Sequence, residues 1–347
     1  MKNKFIKVLY LFSGTRQGKI DRVNNGELPD TCLYGMNHLS KYEIEAVSKE
    51  LNLFGCNYFG FIINHILSFF LTFSYKVVFG SSLLYTALLK KILLSKKKFV
   101  LLNISLNRTL YKNSEKKFRL IFIKWLLDGI DFIVCLSNKQ RRDLIEKYGV
   151  DNQKIVYMPL GVDVDYYKSV FFGRSDFILS VGRDNGRDYK TVFDVAKRLP
   201  NQKFVVICSK RNLKAAGEIP NNVEVFFDMD SSKLNEYYKS ARLLLLLTYG
   251  DDYLDGSDCS GQTVLLDAFA SGLPVIATKK SYLLDYSEDK KDILTVKQGD
   301  VVGVLDKIRL LKDNKLGVNL AKNARIKTEI KFSTKVMAYN LSLIFKK

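Results

Sequence analysis

The chain has 347 residues, 47% hydrophobic and 26% charged, with a formal net charge of +19. That length exceeds one ordinary core and predicts two domains, and the apolar share excludes a disordered chain. Five cysteines without a Cys-x-x-Cys pair, together with two histidines, argue against a structural zinc site and for a reducing, cytoplasmic compartment.

The N-terminal Met1-Lys2-Asn3-Lys4 and the apolar run after it are too short for a signal peptide, and no small-residue cleavage site follows. Residues 5–12 read as a buried strand, and 13–30, with Gly14, Gly18, Gly26 and Pro29, as a loop. Residues 58–73 are the most apolar stretch. They fall short of the roughly 20 residues a spanning helix needs. Asn64, His65 and Ser68 interrupt them, which predicts a core or interfacial helix. A strand at 76–79 ends in Gly80-Ser81-Ser82, and Ser82 caps a helix over 83–94. A strand at 99–104, an amphipathic helix at 115–128 carrying Trp125, and a strand at 132–136 follow. Ser137 caps a helix over 138–148, and 155–158 is the last strand of this half. The alternation predicts a parallel sheet with helices on its faces. Between Lys76 and Lys124 twelve Lys or Arg stand against one acid, Glu115. That zone suits nucleic acid, an anionic lipid surface or a phosphorylated substrate.

Residues 164–175 read as a linker, after which the alternation restarts. Strands are expected at 177–181, 203–208, 223–227, 242–247 and 275–278. Helices are expected at 189–199, 232–240 (capped by Ser231), 263–271, 301–311, 316–330 and 334–345. The aliphatic run 242–247 must be buried on both faces. Two such units in tandem predict a cleft between the C-terminal edges of their sheets.

Two segments carry chemistry. In the first, a strand runs into Gly182-Arg183-Asp184-Asn185-Gly186-Arg187-Asp188-Tyr189-Lys190. Its three cations can neutralise a diphosphate, and its glycines allow close backbone approach. The second runs from Ser257 through Asp258-Cys259-Ser260-Gly261-Gln262-Thr263 into an apolar helix holding one acid, Asp267. Gly272 and Pro274 then stop that helix. A loop-to-helix junction offers free N–H groups and a positive dipole end to a phosphate. Asp267, flanked by Leu266 and Ala268, needs a polar partner and can reach sugar hydroxyls beside that phosphate.

Together with Gly161-Val162-Asp163 and Leu320-Ala321-Lys322-Asn323-Ala324-Arg325, these segments resemble the retaining glycosyltransferases of family 4. The resemblance runs from Ile155 onward and reaches the first half only through its strand order. It implies an α/β GT-B fold of two Rossmann-like domains facing each other across a cleft. Residues 1–165 would be the acceptor-binding domain and 166–330 the nucleotide-sugar-binding domain. Residues 331–347 would be a C-terminal helix crossing back to the N-domain. It assigns the donor diphosphate to Arg183 with Lys190 or Arg187, and the donor ribose to Asp267. The family's other acid, which contacts the donor sugar, falls at Cys259. Asp258 beside it is the alternative carboxylate. Ser260, Gly261, Gln262 and Thr263 can bind the donor through backbone amides and the Gln side chain. The family's N-domain histidine has no match in 102–108. His38 could reach the cleft instead, and the turn at Gly14 points into it.

The activity so implied is retaining transfer of a hexose-type sugar from a nucleoside diphosphate sugar to a glycan or lipid-linked acceptor in surface polysaccharide synthesis. Neither a metal nor a cofactor is expected, because fixed cations take the metal's place. The protein is expected to be cytoplasmic, peripheral on an anionic membrane, and not to bind nucleic acid. A sugar-nucleotide epimerase of the same architecture, or an inactive homologue, is the alternative.

Overall fold

The computed structural model describes residues 5–12, 17–50, 58–253, 255–256 and 259–347. The chain forms two compact units. One comprises Met1–Gly26, Asp30–Pro159 and Thr334–Lys347, and the other Glu27–Pro29 and Leu160–Ser333. The boundaries thus fall at 159/160 and 333/334, against 165/166 and 330/331 read from the sequence.

The first unit runs β1 (Ile6–Phe12), α1 (Gln17–Asn24), β2 (Ile44–Glu50), α2 (Tyr58–Leu71), β3 (Val77–Gly80) and α3 (Leu84–Ile92). It continues with β4 (Lys98–Asn103), α4 (Leu106–Lys112), α5 (Lys117–Leu127), β5 (Phe132–Cys135), α6 (Asn138–Glu146) and β6 (Ile155–Tyr157). Its six strands are parallel in the order β2-β1-β3-β4-β5-β6. The second unit runs β7 (Phe177–Gly182), α7 (Tyr189–Lys197), β8 (Lys203–Cys208), α8 (Lys210–Leu213), β9 (Val223–Phe227), α9 (Ser231–Ser240) and β10 (Leu243–Leu246). It ends with α10 (Gln262–Ala270), β11 (Val275–Thr278), α11 (Leu283–Tyr286), β12 (Leu294–Val296), α12 (Val301–Leu310) and α13 (Asn314–Lys331). Its six strands are also parallel, in the order β12-β11-β10-β7-β8-β9. The last helix, α14 (Thr334–Lys346), belongs to the first unit. There Phe345 packs edge-on to Tyr10 and Phe79, and Ala338 lies against Gly35.

The two-sheet α/β architecture follows the alternation in the sequence. β10 is four leucines, all fully buried as a central strand requires. Several local expectations give way. The segment 13–30 is not all loop, since α1 occupies Gln17–Asn24. β2, with sequence IEAVSKE, carries too many charges to read as a strand, yet it pairs along β1 at the sheet edge. Asp230, not Ser231, caps α9, because its carboxylate accepts the Ser232 amide. Leu83 rather than Ser82 precedes α3, without a side-chain cap. The helix expected at 115–128 is not amphipathic. It buries Ile123, Leu126 and Leu127 and also leaves Phe118, Ile121, Phe122 and Trp125 exposed. Among the described residues no helix is long and apolar enough to cross a membrane.

Candidate functional site

The loops after β7 and β10 meet at the C-terminal edge of the second sheet. Asp184 ties them together. Its Oδ1 accepts the Ser260 hydroxyl at 2.5 Å and the Gly186 amide at 2.7 Å. The bond from the Gly186 amide makes Asp184-Asn185-Gly186 an Asx-turn. Asn212 donates to the Asp184 carbonyl at 2.9 Å, and the Tyr282 hydroxyl donates to the Ser260 carbonyl at 3.0 Å. Asp188 caps α7 through the Thr191 amide and hydroxyl, at 3.0 and 2.6 Å.

Arg187 lies inside this corner. The residue is only 6% exposed, and its Nε is buried with no hydrogen-bond partner. No ion pair among the described residues engages its guanidinium. A Cβ at Gly182 would collide with that guanidinium, and one at Gly261 would lie 3.1 Å from its Nη1. The two glycines therefore make room for Arg187. Gly261 also holds φ +95° as the N-cap of α10, a left-handed conformation that favours glycine. Beyond it, Thr263 and Val264 sit in the first helical turn, where amides have no intrahelical acceptor. A buried cation beside such a terminus is an anion site in the making.

The other expected cations stand differently. Arg183 pairs with Asp228 at 2.9 Å with its side chain 70% exposed. Lys190 pairs with Asp194 at 2.9 Å, one turn along α7, and is likewise exposed. The Gln262 side chain is buried and donates to the Tyr286 hydroxyl, which also accepts the Leu160 amide at 2.8 Å. Cys259 is half-buried, and its carbonyl accepts the Gln262 amide at 3.0 Å, closing the turn that leads into α10. In the acidic loop, Asp251 accepts the Ser281 amide and hydroxyl at 2.9 and 2.5 Å. Asp258 and Gly14 lie outside the described residues.

Asp267 finds the polar partner its setting demands, and it is Tyr167, in the segment 164–175 expected to be a linker. The Tyr167 hydroxyl hydrogen-bonds to the carboxyl, while Oδ1 is buried without a partner. Tyr238, on α9, is the second buried phenol near it. Burial pushes the Asp267 pKa up to about 8, opposed only in part by the Tyr167 hydrogen bond.

In the first unit, His38 lies in a 3-10 turn (Met36–Tyr42) that leads into the N-terminal end of β2, the end away from the ligand edge of a parallel sheet. Its Nε2 is 2.8 Å from Asp30 Oδ2 and 3.4 Å from Thr334 Oγ1. A groove of about 480 Å³ opens between α3, α4 and α5, lined by Tyr85, Asn113, Arg119, Phe122 and others.

Comparison with known proteins gives a consistent result. The family model for glycosyl transferases group 1 matches residues 164–327, and that for glycosyltransferase family 4 matches residues 54–166. No curated protein sequence matches the chain. HepE of Anabaena, solved in complex with UDP and glucose, is 14% identical with a TM-score of 0.72, over 99% of this chain and 100% of its own. Sucrose-phosphate synthase of Thermosynechococcus elongatus is 14% identical with a TM-score of 0.73, over 98% of both chains. WaaG, a glycosyltransferase involved in lipopolysaccharide biosynthesis, is 14% identical with a TM-score of 0.65, over 97% of this chain and 99% of its own. At such identities the likeness to these structures is one of fold, the GT-B arrangement of two parallel-sheet units. Two adjoining family matches, together running from residue 54 to residue 327, make the chain a family 4-like glycosyltransferase.

Proposed function

We propose that the protein transfers a sugar from a nucleoside diphosphate sugar, with retention, to a lipid-linked glycan acceptor in surface polysaccharide synthesis. The observation that carries the donor half is Arg187. An unpaired guanidinium inside a folded unit costs several kcal/mol, and a bound diphosphate would recover that cost. The α10 amides of Thr263 and Val264 would share the same phosphate oxygens. Arg183 and Lys190 would turn toward the diphosphate, each giving up one exposed ion pair that solvent already screens. These protein cations, rather than a metal ion, would then stabilise the charge that grows on the leaving diphosphate as the glycosidic bond breaks. Asp267 would meet the ribose through Oδ1. The complexes of HepE with UDP and glucose and with UDP-glucose make a uridine donor the first to try. WaaG, with its role in lipopolysaccharide biosynthesis, favours a surface glycan as the product's destination.

For the acceptor, the half-apolar groove at Tyr85, Arg119 and Phe122 suits an amphiphile with an anionic head. The basic zone at 76–124 would hold the protein on the anionic membrane that carries it. A thermal-shift panel of nucleoside diphosphate sugars tests the donor reading. At least one should raise Tm in the wild type, and less so in Asp267→Ala. No response to any of them would overturn it.

A further inference from the structure

The outward face of α5 is built the wrong way round for a water-facing helix. Phe118, Ile121, Phe122 and Trp125 follow the i, i+3, i+4, i+7 spacing of one helical face. They are 90%, 64%, 43% and 41% exposed. The opposite face already serves the core through Ile123, Leu126 and Leu127. A surface helix ordinarily turns polar residues outward, so α5 is apolar on both sides. The exposed side chains form an ordered surface. The Phe122 and Trp125 rings stack 6.0 Å apart, and the Lys91 ammonium sits 4.1 Å from the centre of the Trp125 ring. Lys91 also donates to the Trp125 carbonyl at 2.8 Å, tying α3 to α5. Directly after Lys91 come Ile92, Leu93 and Leu94, all exposed.

Charge selects the occupant of this surface. From Leu84 to Leu127 there are eleven Lys or Arg and one acid, Glu115. Lys116, Lys117, Arg119 and Lys124 flank the aromatic face, and no ion pair among the described residues engages them. A symmetric dimer through this face would set two such cationic surfaces against each other. A bilayer with anionic headgroups matches both halves of the pattern, the rings below and the cations at the level of the phosphates. At 11 residues α5 is far too short to span, and the right shape to lie flat.

We propose that α5, with the exposed end of α3, is the surface through which the protein binds an anionic bilayer, Phe118, Ile121, Phe122 and Trp125 entering the headgroup boundary. This rests on the membrane contact proposed above and assigns it to residues. The groove at Tyr85, Arg119 and Phe122 shares α5, so a lipid-linked acceptor could reach it without leaving the interface.

Trp125 is the only tryptophan, so its emission reports this surface alone. The test uses the full chain with phosphatidylcholine vesicles, with and without roughly a third phosphatidylglycerol. The expected result is sedimentation with the anionic vesicles only, weakened by salt, with a blue shift of Trp125 emission. A Phe118→Ser/Ile121→Ser variant should bind the same vesicles at least about tenfold more weakly. Its unchanged Tm would show that it folds. If the wild type binds but Trp125 emission stays fixed and the variant binds equally well, α5 is not the surface and the membrane reading survives. If the wild type binds neither vesicle, the membrane reading fails and this proposal fails with it. A concentration-dependent shift of Trp125 emission without lipid, matched by a dimer in ultracentrifugation, would assign the face to a second copy of the chain.

Discussion

Arg187 in the second unit and His65 in the first are equally hidden, at 6% and 7% exposure, and their surroundings differ completely. His65 sits where α2 packs on α3, its Nδ1 3.0 Å from the Thr86 hydroxyl, with its ring against Tyr85. Ser68 closes the group, donating to the His65 carbonyl at 2.8 Å and lying 3.2 Å from Thr86 Oγ1. That cluster meets its own hydrogen-bonding needs and joins two helices. Arg187 has room made for it by two glycines and receives nothing in return. Burial with satisfied partners is a device of the fold. Burial of an unsatisfied cation is a cost that a ligand must offset.

The sharpest way to break this comparison is Arg187→Met. Methionine keeps an unbranched apolar stem and removes the guanidinium and its charge. Nucleoside diphosphate affinity should fall by about 100-fold or more, the scale of a buried charged contact. The free protein should become more stable, by about 1–4 kcal/mol, because no unpaired cation remains inside. Isothermal titration and urea unfolding measure the two halves. A variant that lost stability along with binding would make Arg187 a structural residue. Arg183→Ala is the control: removal of an exposed ion pair should change stability by less than about 1 kcal/mol.

The donor corner was partly legible in the sequence, and the limits are physical. Gly272 and Pro274 after an apolar run fixed the end of α10 and the start of β11, because stop signals act locally. The order of Arg183, Arg187 and Lys190 was plain too, but spacing cannot say which cation turns inward. That depends on Gly261, which lies in another loop and admits the guanidinium. Tyr167 as the partner of Asp267 was invisible for the same reason, one hundred residues separating them in the chain. β2 failed to register because an edge strand tolerates the charges that sequence patterning reads as loop. α5 was legible as a helix but not as one with two apolar faces, because a one-face periodicity does not say that Phe118, Ile121, Phe122 and Trp125 stay outside the core.

Asp267 offers the next largest effect. An unfolded aspartate titrates near pH 4, whereas burial holds this one up to about 8. Between those values the folded state keeps a proton that the unfolded state has lost. Stability from this group is therefore fullest below about pH 4 and declines as pH rises through 8. Asn at this position can still accept the Tyr167 hydroxyl and cannot ionise. Asp267→Asn should gain several kcal/mol on the wild type between pH 5 and pH 9, read by urea unfolding across that range. An advantage that does not grow with pH would mean that the carboxyl is already charged in the fold.

His65 carries the smaller and opposite dependence. Burial lowers its pKa from the ordinary 6.5 to about 4, so the folded state holds the neutral ring. Above about pH 6.5 both states are neutral and the packing of α2 on α3 is at full strength. As pH falls from there through 4, the unfolded chain takes up a proton that the folded ring refuses, and stability drops by up to about 3 kcal/mol. A His65→Gln variant, which keeps a hydrogen bond to Thr86 within reach, should lose that acid-side slope while remaining folded at pH 7. Both proteins need to be unfolded at pH 7.5, 5.5 and 4.5 and compared. Equal slopes would place the acid sensitivity elsewhere in the fold. A missing slope in the variant would fix it at the α2–α3 contact, the satisfied counterpart of the unsatisfied corner at Arg187.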